Sequence, residues 1–201
     1  MLVEGTGRRI HGIDTHIGAA VAGLLPDGRQ LVNRARDEAR AYRQNYGEMI
    51  PPSTLNDRMG SFMHVFTYYA YYRPVGSAIL MAGYDQETKQ AELYCAEPTG
   101  MAIRYFGTAL GKGARAAKTE IEKYKFQEKT VAEAVGYVAK ILCSVHDDVK
   151  DKPMEVELSV ISESNGWRHE LLSKEKRDAA VKWAKDQIEA EEMAEDDDDD
   201  E

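Results

Sequence analysis

Cysteine is scarce in this 201-residue chain: Cys95 and Cys143 are the whole complement. The two could pair, but both sit in apolar company, and the reading adopted is a reduced intracellular chain with two buried thiols. Long apolar runs are missing as well. None approaches the length that crosses a bilayer, and Met1 is not followed by a charged and then apolar leader. Lysine does not occur before Lys89, an absence that bears on catalysis below.

Acidity is present but local. The net charge is −9, yet residues 189–201, "EAEEMAEDDDDDE", hold ten of the 35 acids and no base, leaving 25 acids against 26 bases. The body is therefore close to neutral and shows no bulk preference for nucleic acid or membrane. Residues 189–201 are expected to form a solvated, disordered tail. Their functional alternative is an electrostatic lure for a basic partner. The length fits one domain with a real core.

Along the chain, 17–22 ("IGAAVA") is a short buried strand candidate. Leu31, Ala35, Ala39, Tyr42 and Tyr46 then recur at helical spacing, opened by "PDG" and closed by Gly47. After the break at "MIPPS", the apolar stripe Leu55, Met59, Phe62, Phe66 and Tyr69 predicts a second helix ending at Arg73-Pro74. Three short strands are predicted at 77–84, 91–96 and 101–108. The separators between them are short enough for hairpins, so the pairing should be antiparallel. Ala114, Ala117, Ile121 and Tyr124 mark the next helix. Thr130 and Glu133 then form a capping box that opens a helix with Val131, Val135, Val138, Leu142 and Val145 on its core face. "MEVELSVIS" (154–162) alternates like a half-buried strand, and Ala180, Trp183, Ala184 and Ile188 line a last helix. Helices in blocks between strand blocks argue an α+β class.

Several motifs invite chemistry. "YFGTALGKGARAA" (105–117) resembles a phosphate loop, but only three residues separate Gly107 from Gly111, and Gly113 stands where a magnesium-binding hydroxyl belongs. The glycines are expected to shape a strand-to-helix turn, and no cofactor is expected. Gly5-Thr6 would become an N-terminal threonine nucleophile on cleavage, but such a site needs a nearby lysine. His11 and His16 are five apart without a metal-protease pattern, and His146-Asp147-Asp148 has no partner ligand of fixed spacing, so no metal site is expected. Tyr68, Tyr69, Tyr71 and Tyr72 read as a helix end packed on neighbours or on another subunit.

Taken together, "IDTHIGAAVAGLLPDGRQLVNRARDEA" (13–39), "RPVGSAILMAGYD" (73–85), "LYCAEPTG" (93–100) and "GTALGKGARAAKTEIEK" (107–123) resemble 20S proteasome α-type subunits, with the acidic end closest to type 3. The resemblance runs from about His11 to the end of the last helix. It implies a four-layer αββα sandwich of the N-terminal-nucleophile hydrolase type. It also implies a catalytically silent place in the seven-subunit outer ring. Partners would be the other α and β subunits and regulatory particles, with no nucleic acid and no membrane. The setting would be cytoplasm and nucleus, in ubiquitin-dependent protein degradation.

The family's α subunits begin with a gate tail, a helix and two strands ahead of the matching region. Residues 1–188 are therefore expected to be an α-type domain lacking those first strands, with 189–201 as the tail. Gly23 and Leu24 match the glycine-leucine pair lining the family's pocket for regulator tails, whereas its pocket lysine has no counterpart here. Val75 replaces the family's usual aromatic. Two other classes stay open: an N-terminal-threonine peptidase on the same fold, marked by a nucleophile and lysine together, and a free-standing adaptor with an acidic tail, marked by its absence from any ring particle.

Overall fold

The computed structural model describes residues 6–146 and 154–199. Asp147 and Asp148, with the rest of 147–153, lie outside that set, as do residues 1–5, 200 and 201. Two compact units divide the chain. One is built from residues up to Phe106 together with Ser159–Glu170. The other is Gly107–Leu158 with the chain from Leu171 onward.

The first unit carries a five-stranded sheet: β1 (Ile10–Asp14), β2 (Ile17–Gly23), β3 (Ser77–Asp85), β4 (Gln90–Ala96) and β5 (Ala102–Tyr105). The strands lie side by side in chain order, every pair antiparallel. Hairpins thus join β3, β4 and β5 as predicted. β1 is a strand that the apolar pattern passes over, because "IHGID" mixes polar and glycine residues and joins the sheet through its ladder with β2. Along β3 burial alternates strictly, and Ile79 and Met81 enter the core beside Ile17, Ala19, Val21 and Ala96. This is the period-2 signature of a sheet with one face packed.

Helices α1 (Leu25–Tyr46) and α2 (Pro52–Tyr68) cover that face. α1 carries Pro26 in its first turn and ends where Gly47, at φ 77°, returns its N–H to the Arg43 carbonyl. Leu31, Ala35 and Ala39 are buried as predicted, while Tyr46 is exposed. α2 departs from its predicted stripe. Leu55, Met59 and Met63 are buried with Asn56 and Gly60, and Tyr69 is 53% exposed, at the helix end rather than in the core. Gly60 explains the rotation. A Cβ there would stand 2.8 Å from both the Gly100 carbonyl oxygen and the Ala102 Cβ, so the helix backbone approaches the sheet along that line. The closest approach decides which face is inside, and Phe62 and Phe66 are left on the flank.

The second unit holds α3 (Ala114–Lys123), α4 (Val131–Val145) and α5 (Lys174–Asp199). Thr130 and Glu133 close the predicted capping box: Glu133 N–H donates to Thr130 Oγ1, and Thr130 N–H to Glu133 Oε2. The predicted core stripe of α4 is corrected. Val131, Val138 and Leu142 are exposed, and Ala139, Lys140 and Ile141 are buried. Here Gly136 sets the face, because Trp183 of α5 lies where its Cβ would be. The predicted strand at 154–162 keeps its alternation, with Val156 and Leu158 buried. Only β6 (Ser159–Val160) is laddered, and it pairs with β7 (Glu170–Leu171).

α5 continues past Ile188 to Asp199, over residues expected to be disordered tail. Glu and Ala are strong helix formers, and Glu191 is held by Lys140, a buried ammonium 2.5 Å away. Burial opposes the Lys140 charge, but the hydrogen bonds to Glu191 and Tyr124 outweigh it and raise its pKa. Among the described residues, the fold is α+β with its helices grouped between strand blocks.

Gly60→Ala is expected to cost about 1–3 kcal/mol by overpacking. Ser61→Ala, one residue along on the exposed side, should stay within about 0.5 kcal/mol of the parent. Urea unfolding of the three chains compares them, and equal midpoints would show that the close approach is not what orients α2.

Candidate functional site

The β2–α1 corner is where the sequence places Gly23 and Leu24, and its geometry follows from one steric fact. Gly23 has φ 121°, and a Cβ there would lie 2.3 Å from the Gly76 carbonyl oxygen and 2.7 Å from Ser77 Cα. Only glycine fits between the two chains at this point. Leu24 follows in extended geometry as the N-cap of α1. Its N–H donates to the Gly76 carbonyl at 2.9 Å, and its own carbonyl accepts from Gly28 N–H and from Ser77 Oγ. The Gly23 carbonyl accepts from Arg9 Nη1 at 2.8 Å. The backbone on both sides of the Leu24 side chain is therefore tied down, and that side chain remains 55% exposed.

Asp27, in the first turn of α1, is the brace. One carboxylate oxygen accepts from Arg73 Nη1 at 2.6 Å and from Gly76 N–H at 2.8 Å. The other accepts from Arg73 Nη2 at 2.8 Å, so the Arg–carboxylate pair is bidentate. Hydrogen bonding from Arg73, then from Gly76 N–H, lowers the Asp27 pKa from 3.8 to about 2. Asp27 in turn raises the pKa of Arg73. Both charges are consumed by each other. What the corner offers to a partner is an apolar side chain on a fixed backbone, beside a cavity of about 490 Å³ walled by Phe62, Phe66, Tyr72 and Val75. That arrangement suits contact rather than bond-breaking.

The sequence motif "PDG" marks the helix start and "RPVG" the approach to β3, but nothing in their spacing says that Asp27 and Arg73 meet across 46 residues. The pairing becomes visible only in the fold.

The remaining motifs resolve individually. Gly113, at φ 77°, caps α3, and Ala117 N–H returns to its carbonyl, so the glycine-rich stretch forms the turn into a helix. A side chain at Gly113 would collide with Val145 Cγ1 at 2.2 Å. The Thr6 carbonyl accepts from Arg29 Nη2 at 2.7 Å; Gly5 lies outside the described residues. The histidines do not converge: His11 Nε2 lies 3.2 Å from the Arg8 carbonyl oxygen, His16 Nε2 2.8 Å from that of Ile50, and His64 Nδ1 3.2 Å from that of Thr99. Among the described residues, no three His, Cys, Asp or Glu side chains stand close enough to share a metal ion. The tyrosines at 68, 69, 71 and 72 are all exposed, Tyr71 at 95%. Edge-to-face contacts from Phe62 through Phe66 and Tyr72 to Tyr69 and Tyr68 hold three of the four, Tyr68, Tyr69 and Tyr72, in one array.

A family model described as proteasome subunit matches residues 1–161. The chain belongs to the proteasome subunit family. This proteasome-family chain is 48% identical over 199 residues to the proteasome subunit alpha type-3 of Acanthamoeba castellanii, across 98% of its own length and 78% of that protein's. It is 47% identical over 189 residues to the Dictyostelium discoideum protein of the same name, covering 94% of this chain and 75% of that one. The probable proteasome subunit alpha type-7 of Saccharomyces cerevisiae is 37% identical over 193 residues, across 94% of this chain and 66% of its own.

Protonating Asp27 removes the brace. Its folded pKa lies below the 3.8 of an unperturbed carboxyl, so its contribution to stability is present above pH 3.8 and is lost as pH falls through about 2. A carbon-detected NMR titration of the Asp27 carboxyl should give a midpoint near 2, moving up toward 3.8 in Arg73→Met. An unmoved midpoint would remove Arg73 as the cause.

Proposed function

We propose that this chain is a noncatalytic structural subunit of the outer α ring of a 20S proteasome core. It would support ATP- and ubiquitin-dependent protein degradation by taking a place in the ring and by presenting a surface to regulators. The observation that carries the reading is identity close to one half, along almost the entire chain, with proteins named alpha type-3.

Three finer points belong to the same proposal. The complete fold is the four-layer αββα sandwich of the N-terminal-nucleophile hydrolase type, for which the five-stranded sheet with α1 and α2 on one face supplies one sheet and one helical layer. Gly23 and Leu24 form part of the surface that receives regulator tails, because Leu24 is the exposed apolar side chain on an immobilised backbone. The partners are the other α and β subunits and regulatory particles, in cytoplasm and nucleus.

Silence in catalysis has a chemical ground within this reading. An N-terminal threonine needs its amine held neutral by a neighbouring cation such as lysine, and Lys89 is the first lysine of the chain. Native mass spectrometry of the tagged endogenous protein should find it in a ring-stacked particle with other α and β subunits. Recovery only as a free chain would overturn the assignment. In particles carrying Thr6→Ala, hydrolysis of fluorogenic peptides should be unchanged; a tenfold fall, about 1.4 kcal/mol of barrier, would make the chain a peptidase. Leu24→Ser particles should assemble normally and bind regulators several-fold more weakly.

A further inference from the structure

The asparagines of the chain are Asn33, Asn45, Asn56 and Asn165, and of these Asn165 alone is followed by glycine. The next residue matters because its main-chain nitrogen can reach the asparagine Cγ. Attack there closes a five-membered ring, and a side chain on the attacking residue hinders the closure. Asn33, Asn45 and Asn56 precede Arg34, Tyr46 and Asp57, and all three lie inside helices.

Asn165 instead ends a single 3₁₀ turn, Glu163–Asn165, and Gly166 follows at φ 67°. Ser162 N–H donates to Asn165 Oδ1 at 3.1 Å, which fixes that atom as the oxygen. The same bond draws electron density from Cγ and makes it a better electrophile. Nδ2, the leaving group, is buried and has no hydrogen-bond partner among the described residues. Such atoms are rare in folded proteins, and this one is held to the chain by its covalent bond alone. Gly166 is exposed, with open space where a side chain would stand. Its N–H donates to the Glu163 carbonyl at 3.0 Å, the bond that closes the turn. No further helical turn backs that bond, so local opening frees the nitrogen.

Asp27 also precedes a glycine, Gly28, and there the fold blocks the same chemistry. Both Asp27 oxygens are engaged by Arg73, one of them by Gly76 N–H as well. An ionised carboxylate so held offers no leaving group. Gly28 is buried, and its N–H donates to the Leu24 carbonyl at the start of a 22-residue helix.

We propose that Asn165–Gly166 is a site of spontaneous deamidation whose isoaspartate product releases Trp167. The Gly166 nitrogen gives up its proton to water or hydroxide and bonds to Asn165 Cγ. The Cγ–Nδ2 bond breaks, and the amide nitrogen takes a proton from water and leaves as ammonia. Water then opens the cyclic imide. Attack at Cγ gives aspartate, and attack at the Asn165 main-chain carbonyl gives isoaspartate. No oxidant or reductant takes part. Isoaspartate routes the main chain through Cβ and so lengthens it. Gly166 N–H and Trp167 N–H then lose register with the carbonyls of Glu163 and Ser162. Those bonds hold Trp167 at φ 59°, a conformation that a bulky residue seldom adopts. They also keep it stacked on Tyr84, with ring centroids 4.3 Å apart. Once the chain lengthens, Trp167 relaxes and the stack separates. This chemistry is local and can fail without touching ring membership.

The test uses the full chain carrying Trp183→Phe, so that Trp167 is the sole tryptophan, incubated at body temperature and neutral pH. Peptide mapping by mass spectrometry reads amide-to-acid conversion at each asparagine. An isoaspartyl methyltransferase labels the isoaspartate fraction. The synthetic peptide ISESNGWRH reports the same step without a fold. Asn165 should convert within about tenfold of the peptide's rate and ahead of the other three asparagines. The rate should climb with hydroxide concentration, and Trp167 emission should move to longer wavelength in step with isoaspartate. Asn165→Gln, which would have to close a larger ring, and Gly166→Ala should each lower labelling at this step about tenfold or more. The proposal is overturned by a rate more than about tenfold below the peptide's, by earlier conversion at another asparagine, by undiminished labelling in Asn165→Gln, or by unmoved Trp167 emission.

Discussion

The Asp27 carboxylate is the interaction on which the first unit most depends. It gathers the Arg73 guanidinium and the Gly76 N–H onto one side chain, joining the first turn of α1 to the entry of β3. Those two segments are also neighbours through Leu24 N–H and Ser77 Oγ, so four hydrogen-bonding groups converge within a few residues. The pairing of Gly23 with Ser77 stands at the same point and is the last rung of the β2–β3 ladder. A slip of one residue there would exchange the two faces of the strand and put Ile79 and Met81 outside. The brace therefore protects register as well as the pose of Leu24.

Close backbone approach is the second constraint, and it decides helix faces. α2 meets the sheet along Gly60, and α4 meets the Trp183 ring along Gly136. Each helix turns the residues around its glycine inward, even where a more hydrophobic stripe lies a quarter-turn away. Met63 is buried while Phe66 is not fully covered, and Lys140 is buried while Leu142 is exposed. Lys140 tolerates this because Glu191 and Tyr124 provide hydrogen bonds and opposite charge within the same unit. Removing Glu191 would take the carboxylate partner from the buried Lys140 ammonium, which is costly. The same pair explains why helix persists into residues whose composition favours solvation.

A subunit of a ring must bury in its neighbours what a free-standing domain would hide in itself. The tyrosine array after α2 fits that demand. Its rings are large, well ordered by edge-to-face contacts, and exposed, with polar tips that tolerate water before assembly. Leu24 meets the same demand on a smaller scale. Neither surface carries an unpaired charge from the Asp27–Arg73 couple, so both favour partners that bring apolar side chains.

Much of this was legible in the chain. The antiparallel strands from 77 onward, both caps of α1, the Thr130–Glu133 box and the role of Gly113 follow from alternation, turn chemistry and backbone sterics, all local properties. Family membership was legible through resemblance. The strand at Ile10–Asp14 was not, because "IHGID" has no alternation strong enough to declare a strand without its neighbour. Nor could spacing reveal that Asp27 meets Arg73, that Trp167 stacks on Tyr84, or that α2 turns on Gly60 and α4 on Gly136. Hydrophobic periodicity reports which side of a helix prefers burial. Which side is buried depends on where two backbones can come closest, and that is settled by residues distant in sequence.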